Sequence, residues 1–304
     1  MKSLVTGGLG FVGSNLVDML VSMGDEVWVI DDLSSESSSL DYKNSEANYV
    51  IDKVENIRSH FNEGFDRIFH LAAKARIQPS FDNPTEYFNS NAYGTSELME
   101  FARTSNSGIV VYATTSSKNH GSPYITPYTY YKVVGEGILK TYAHCFNQKC
   151  AMATFYNVYG PREPKVGEWA TVVAKFGRQW QDGEQLTIVG TGEQTRDFTH
   201  VDDICKGLIR ISEDNWYGEN FDLGRGVPVS ILDLAKLWTD GDMDRISFAP
   251  LRKNEGLHTE SDYQKTYEMI GWKAETNLQD YVNDQKYSLF VDNFRNYQTY
   301  RSIN

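Results

Sequence analysis

Leu4-Val5-Thr6-Gly7-Gly8-Leu9-Gly10-Phe11-Val12-Gly13 is the stretch whose reading decides the fold. A short apolar run meets a glycine turn, an apolar segment from Asn15 to Val21 follows, and Gly24 punctuates it. Glu26-Val27-Trp28-Val29-Ile30 then leads into Asp31-Asp32. This order predicts strand, turn, helix and second strand, with a carboxylate at the end. Glycines let the backbone turn sharply and let a pyrophosphate approach a helix N-terminus, where free N–H groups and the helix dipole favour negative charge. An acid closing the second strand accepts hydrogen bonds from an adenosine ribose. Three glycines at spacing three, with Asp31 eighteen residues beyond Gly13, point to a dinucleotide site, which a ligand-free glycine turn does not explain.

Working outward, apolar strand-like runs recur at Leu4–Val5, Val27–Ile30, Tyr49–Ile51, Ile68–Leu71, Ile109–Ala113 and Ala151–Phe155. Helical patterns lie between most of them, at Ser14–Ser22, Ile57–Phe61, Pro84–Thr104 and Tyr128–Phe146. Strands alternating with helices imply right-handed crossovers and a parallel sheet. The expected class is α/β, a Rossmann-type doubly wound parallel sheet over residues 1–156, with a smaller α/β substrate-binding lobe over 157–304 and part of 198–224 returning to the first. In the second lobe helices are expected at Glu168–Gln181, Asp202–Ser212, Tyr263–Ile270 and Leu278–Asn296, and strands at Leu186–Val189, Asn220–Leu223 and Arg245–Phe248. The Ser- and Asp-rich run Asp32–Asn44 reads as a loop.

Composition narrows the function classes. The 304 residues carry 29 Lys and Arg against 41 Asp and Glu, a formal charge of −12. So acidic a chain repels nucleic acid and anionic membrane surfaces, leaving phosphates to a few local basic residues and backbone N–H groups. The cysteines are Cys145, Cys150 and Cys205, an odd number without metal-ligand spacing, which suits a reduced, cytoplasmic setting. The six histidines include no His-x-x-x-His pair, so no metal site is expected. Met1-Lys2 runs straight into the first strand, which argues against a signal peptide, and no apolar run reaches the length of about 18 residues that a membrane span needs.

Tyr128-Thr129-Tyr130-Tyr131-Lys132 carries the second signal. Tyr128 and Lys132, four apart, share one helix face. The pair opens a helix after the strand Ile109–Ala113 and the polar run Thr114-Thr115-Ser116-Ser117. Tyrosine ionises near pH 10, so a neutral-pH base requires lowering by about three pH units, roughly 4 kcal/mol. A neighbouring Lys⁺ and an oxidised nicotinamide ring supply charge of the right sign. Ser116, or Thr115, is placed to hydrogen-bond a reacting sugar oxygen.

At this point the chain resembles the extended short-chain dehydrogenase/reductase family, and within it the nucleotide-sugar epimerases and dehydratases. The resemblance rests, in order, on Thr6–Gly13, Asp31, Asp52, His70-Leu71-Ala72-Ala73-Lys74-Ala75, Asn91-Ala92-Tyr93-Gly94-Thr95, the Tyr128/Lys132 pair, Tyr156-Asn157-Val158-Tyr159-Gly160-Pro161-Arg162 and Thr195–Asp203. It implies that Gly7, Gly10 and Gly13 hold the pyrophosphate, with Phe11 and Val12 beside it. Asp31 would bind the adenosine ribose and select NAD over NADP by repelling a 2′-phosphate. Leu71, Ala72, Ala73 and Lys74 would line the cofactor, and Ser116, Tyr128 and Lys132 would be catalytic. Asn157, Arg196 and Arg252 would hold a nucleotide-diphosphate sugar, with the stretch Trp169–Val173 bordering the nucleoside. Asp52 has two readings, an adenine contact and a loop cap. His70 reads as a strand-end structural residue, Arg196-Asp197 has an internal ion pair as its alternative, and His120 is either an auxiliary acid or a loop residue. The helices Pro84–Thr104 and Tyr128–Phe146 resemble those that pair in a family homodimer.

The serine block separates the reactions. Family 4,6-dehydratases carry Asp-Glu just after the position of Ser116, and UDP-glucuronate decarboxylases a glutamate there; here stand Ser117 and Lys118. The resemblance therefore favours 4-epimerisation by transient C4 oxidation with bound NAD, on a UDP-hexose or UDP-N-acetylhexosamine, and Lys74 adds a likeness to UDP-galactose 4-epimerases. A 4-reductase or a 4,6-dehydratase remains the alternative. A non-enzymatic NAD-binding protein is disfavoured by the presence of both Tyr128 and Lys132. Lys118-Asn119-His120-Gly121 departs from the usual Val-Tyr-Gly ending, and the loop to Tyr128 is shorter than in family epimerases.

Overall fold

In the computed structural model, which describes residues 1–119, 121–167, 170–251 and 258–288, the strands are β1 (Lys2–Thr6), β2 (Glu26–Asp31), β3 (Asn48–Ile51), β4 (Arg67–His70), β5 (Ile109–Thr115), β6 (Cys150–Phe155), β7 (Asn157–Tyr159), β8 (Leu186–Val189), β9 (Thr195–His200), β10 (Tyr217–Leu223), β11 (Pro228–Ser230) and β12 (Ile246–Ala249). The helices are α1 (Phe11–Ser22), α2 (Ile57–His60), α3 (Gln78–Asp82), α4 (Pro84–Phe88), α5 (Gly94–Thr104), α6 (Pro127–Phe146), α7 (Val172–Gln181), α8 (Val201–Ile211), α9 (Ile231–Thr239), α10 (Tyr263–Ile270) and α11 (278–288).

Seven parallel strands form the main sheet in the order β10-β6-β5-β4-β1-β2-β3. Its central strands bury both faces and therefore read as unbroken apolar runs, as in Ile109-Val110-Val111-Tyr112. On one face Val5, Val29, Phe69 and Val111 pack with Leu16 and Val17 of α1 and Ile204 and Leu208 of α8. On the other, Leu4, Ile68, Val110 and Met152 pack with Leu98 and Met99 of α5 and Leu139 of α6. The chain runs outward from β1 to β3, then returns to the far side of β1 as β4. That reversal opens a crevice beyond the C-terminal ends of β1 and β4, where ligands of such sheets bind.

The second core, around Tyr159, Phe176, Ile188, Phe198, Leu234 and Trp238, binds β8 and β9 to α7 and α9. Two small sheets serve it, β11-β9-β7 and β12-β8. Helix α8 packs on α1, and β10 pairs with β6 at the edge of the main sheet.

Departures from the sequence expectations have local causes. The Pro84–Thr104 helix is α4, a π-helical turn at Asn89–Tyr93, and α5 in succession. The turn projects Asn91, whose side chain holds both the N–H and the carbonyl of Lys74, at 2.8 and 2.9 Å. π turns of this kind recur near functional sites. The α7 helix starts at Val172 behind Thr171, whose Oγ1 accepts from Ala174 N; Glu168 and Trp169 lie outside the described residues, as do 289–296 of the last expected helix. The three-residue strands β7 and β11 are too short to show an alternating pattern.

Candidate active site

A cleft of about 620 Å³ follows the C-terminal edge of the main sheet and continues between the two cores. Gly7, Gly10, Phe11, Val12, Gly13, Asp31, Asp52, Leu71, Ala72, Ala73, Ser116, Tyr128, Lys132, Asn157 and Arg196 all line it. The sequence placed these residues far apart, and the crossover topology gathers them.

The glycine turn is built to leave donors open. Gly7 has φ +71°, in the left-handed region, and an added Cβ there would meet Ala72 N at 2.7 Å, so the turns after β1 and β4 pass backbone to backbone. At Gly13 a Cβ would lie 2.1 Å from Gly7 O. Gly10 caps α1 without a side-chain bond, and no acid stands in the first turn. The first N–H groups of α1 therefore face the cleft without a competing carboxylate, an arrangement that attracts phosphate. Asp31 ends β2 with Oδ2 accepting from Leu9 N at 2.9 Å and Oδ1 from Leu33 N at 2.8 Å. Each carboxylate oxygen accepts more than one bond, so acceptor capacity is left for ribose hydroxyls. Burial raises the Asp31 carboxyl, against these two N–H bonds and a bond from Ser38 that lower it. These residues fit a dinucleotide.

Asp52 lines the same end of the cleft, and its carboxylate is engaged by Lys53 N (2.7 Å), Asn56 Nδ2 (2.9 Å) and His60 Nε2 (2.7 Å). Both of its readings remain compatible with that position. Lys74 stands apart from the lining residues. Its ammonium pairs with Glu86 at 3.4 Å, it does not line the cleft, and Ala75 and Arg76 form that part of the wall. The cause is the Asn91 clamp, which fixes the Lys74 peptide with the side chain outward.

Over this half, Pro161 and Arg162 reach across to the first helix and the Ser-rich loop. Asn15 Nδ2 donates to Pro161 O at 3.0 Å, Arg162 pairs with Asp18 at 2.6 Å, and the Arg162 guanidinium lies 5.3 Å from the Tyr42 ring centre.

The reaction half is set by the start of α6. Thr126 Oγ1 accepts from Thr129 N at 3.0 Å, and Pro127 takes the first helical position, placing Tyr128 at the cleft wall. Burial pushes the Tyr128 phenol up, while a hydrogen bond from Thr115 and the charge of Arg76 pull it down. Lys132, one turn on, is buried with its Nζ 4.3 Å from the Tyr112 ring centre. Desolvation brings its ammonium down to about 7, against an opposing pull from Glu136. Arg76, whose charge acts on Tyr128, is a residue that the sequence did not single out. Its signal was a basic residue in the loop that follows β4.

Lys118 turns away from the cleft. Its Nζ pairs with Glu136 at 2.6 Å, and Thr114 Oγ1 donates to the same carboxylate oxygen at 2.5 Å. The carboxylates among the described lining residues are Asp31, Asp32, Asp52 and Glu55, all on the β2–β3 side. Glu163 is buried behind Thr171, and burial takes its carboxyl up to about 7.

At the end of the cleft next to the second core, Asn157 of β7 and Arg196 of β9 share the wall with Ala170, Thr171, Val172 and Val173. Arg252, Trp169 and His120 lie outside the described residues. Asp197 serves the backbone: Oδ1 accepts from Arg225 N, and Oδ2 from Gly226 N and Ser261 N, each at 2.9 Å. It is a buried hub that ties two segments, Arg225-Gly226 and the one at Ser261, to β9. His70 is fully buried between Thr6 and Thr95 hydroxyls at 2.8 and 3.0 Å, and desolvation holds its imidazole down to about 3, as a structural residue requires.

Known proteins share this fold. Residues 3–224 match the model of a family described as NAD dependent epimerase/dehydratase. A UDP-glucose 4-epimerase of Mycolicibacterium smegmatis is 32% identical, over 91% of this chain and 95% of its own. UDP-glucuronic acid decarboxylase 4 of Arabidopsis thaliana is 29% identical, over 97% and 69%. The crystal structure of UDP-glucose 4-epimerase with UDP-glucose from Thermotoga maritima superposes with TM-score 0.86 at 29% identity, covering 98% of this chain and 100% of that one.

Proposed function

The chain belongs to the NAD dependent epimerase/dehydratase family, and from that premise we propose that it is a nucleotide-sugar 4-epimerase acting on a UDP-hexose or UDP-N-acetylhexosamine. One observation carries the choice of reaction: no carboxylate among the described residues lines the cleft beside Tyr128, and Lys118 is tied back to Glu136. Loss of water needs an acid and a base there; oxidation and re-reduction at one carbon do not. The similarity to UDP-glucose 4-epimerases in sequence and structure supports the same reading.

NAD, when bound, supplies the oxidant for C4 and the hydride that returns to the opposite face. Gly7, Gly10 and Gly13 would cradle its pyrophosphate, and Asp31 its adenosine ribose. Tyr128 takes the C4 hydroxyl proton onto its phenolate oxygen and gives it back in the second half of the cycle. Ser116 hydrogen-bonds the same sugar oxygen, and Lys132 holds the cofactor beside it. Asn157 and Arg196, with Arg252, hold the diphosphate while the sugar turns about that tether.

The test is chromatography with mass detection on purified protein incubated with a panel of UDP-hexoses and UDP-N-acetylhexosamines, without added cofactor. The expected product has unchanged mass and altered retention. Loss of water or carbon dioxide, or conversion only with added reduced cofactor, overturns the 4-epimerase reading.

The assembly we propose is a homodimer through the α4–α5 segment and α6. Phe88, Tyr93 and Tyr130 are exposed there, and the rings of Tyr124, Tyr130, Tyr131 and Phe88 follow one another at 5.5–5.6 Å between centres. An aromatic surface of this kind is characteristic of interfaces. Sedimentation at micromolar concentration should give the dimer mass, and a monomer there refutes the interface.

A further inference from the structure

Resting on the hydroxyl oxidation proposed above, we propose that Arg76 is a positioning residue for Tyr128, its guanidinium supplying the positive charge that the phenolate requires when it takes the C4 proton. Arg76 and Tyr128 line the same cleft. The Arg76 backbone sits at φ +87°, a conformation that a residue with a side chain seldom adopts. Strain of this kind persists where surrounding contacts over-determine it, and it concentrates at functional sites.

Those contacts are in place on both sides. Tyr87 Oη donates to Ala75 O at 2.9 Å, and Ser80 Oγ to Ile77 O at 2.6 Å. Asn91 holds the Lys74 peptide. The Tyr87 ring also meets the Tyr128 ring edge-on, 6.4 Å between centres. One tyrosine thus clamps the strained loop and packs against the reacting phenol, so the guanidinium and the hydroxyl share a frame.

Charges reach this point from several elements. Tyr128 and Tyr87 face Arg76 from α6 and α4, and Glu163 faces it from the loop after β7. Thr115 reaches the phenol from β5. Burial pushes the Arg76 guanidinium down, and Tyr128, Tyr87 and Glu163 pull the other way when they are ionised. Lys132 rests over Tyr112. Arg76 therefore adds to the positive charge that the Tyr-x-x-x-Lys spacing assigns to lysine.

Arg76→Gly is the informative variant, because glycine accepts the left-handed backbone without steric strain and the charge is lost. With tyrosines labelled at the ring Cζ and the Tyr128 signal identified by its loss in Tyr128→Phe, the Tyr128 titration should move up by about one pH unit or more in Arg76→Gly. Arg76→Lys should retain most of the native position. In turnover, the rising limb of the pH profile should move up by the same amount, and activity at neutral pH should fall about tenfold for each pH unit moved. An unchanged Tyr128 titration in folded Arg76→Gly overturns the proposal. The titration needs no substrate, so absence of epimerisation in every variant sinks the reaction assignment separately.

Discussion

Tyr128→Phe is expected to lower turnover by about 10²- to 10⁴-fold, the range over which a positioned general base contributes. The variant removes one oxygen and keeps the ring that packs edge-on against Tyr87. Its hydroxyl partner, Thr115, retains Ser117 Oγ at 3.1 Å, so the fold has little to lose. Gly7, Gly10, Gly13 and Asp31 are untouched, and NAD should co-purify as in the native protein. The readouts are single-turnover oxidation of the sugar and the ratio of bound nucleotide to protein. Turnover within about threefold of native would remove Tyr128 from the base role assigned to it.

Gly10→Ala should separate folding from cofactor binding, and Gly13→Ala should not. At Gly10 the added methyl meets Gly7 O at 3.4 Å and Ser38 Oγ at 3.8 Å, ordinary contacts, and its φ of −83° suits alanine. The methyl nevertheless stands at the cleft wall above the open N–H groups of α1, where a diphosphate must come close. Crowding of about 1–3 kcal/mol corresponds to roughly ten- to hundredfold weaker NAD binding. At Gly13 the methyl would sit 2.1 Å from Gly7 O, and the turn itself must move. Calorimetry should show a native Tm with weakened NAD for Gly10→Ala, and a lowered Tm with loss of NAD for Gly13→Ala. Native affinity in Gly10→Ala would place the pyrophosphate elsewhere.

The glycine turn was legible in the sequence because its logic is local: spacing, a following helix and a closing acid lie within the first thirty-two residues. Tyr128 and Lys132 were legible for the same reason, since four residues is one helical turn. Arg76 was not. Its importance arises from a positive φ and from the approach of α4 and α6, neither of which leaves a pattern in the neighbouring residues. Asp197 was hidden in the same way, because the segments it binds lie 28, 29 and 64 residues away in the chain. Lys118 showed as a departure, and only the packing of β5 against α6 reveals that Glu136 holds it. The outward side chain of Lys74 follows from a π turn, which has no sequence periodicity of its own.

The bridges of Pro161 to Asn15 and of Arg162 to Asp18 and Tyr42 join the second lobe to the first helix directly above the glycine turn. A nucleotide held at the glycine turn would have these contacts among those that slow its departure. The catalyst would then carry its own reusable electron store from one sugar to the next, and its output would follow the supply of sugar, insulated from the ratio of oxidised to reduced nucleotide in the surrounding cell.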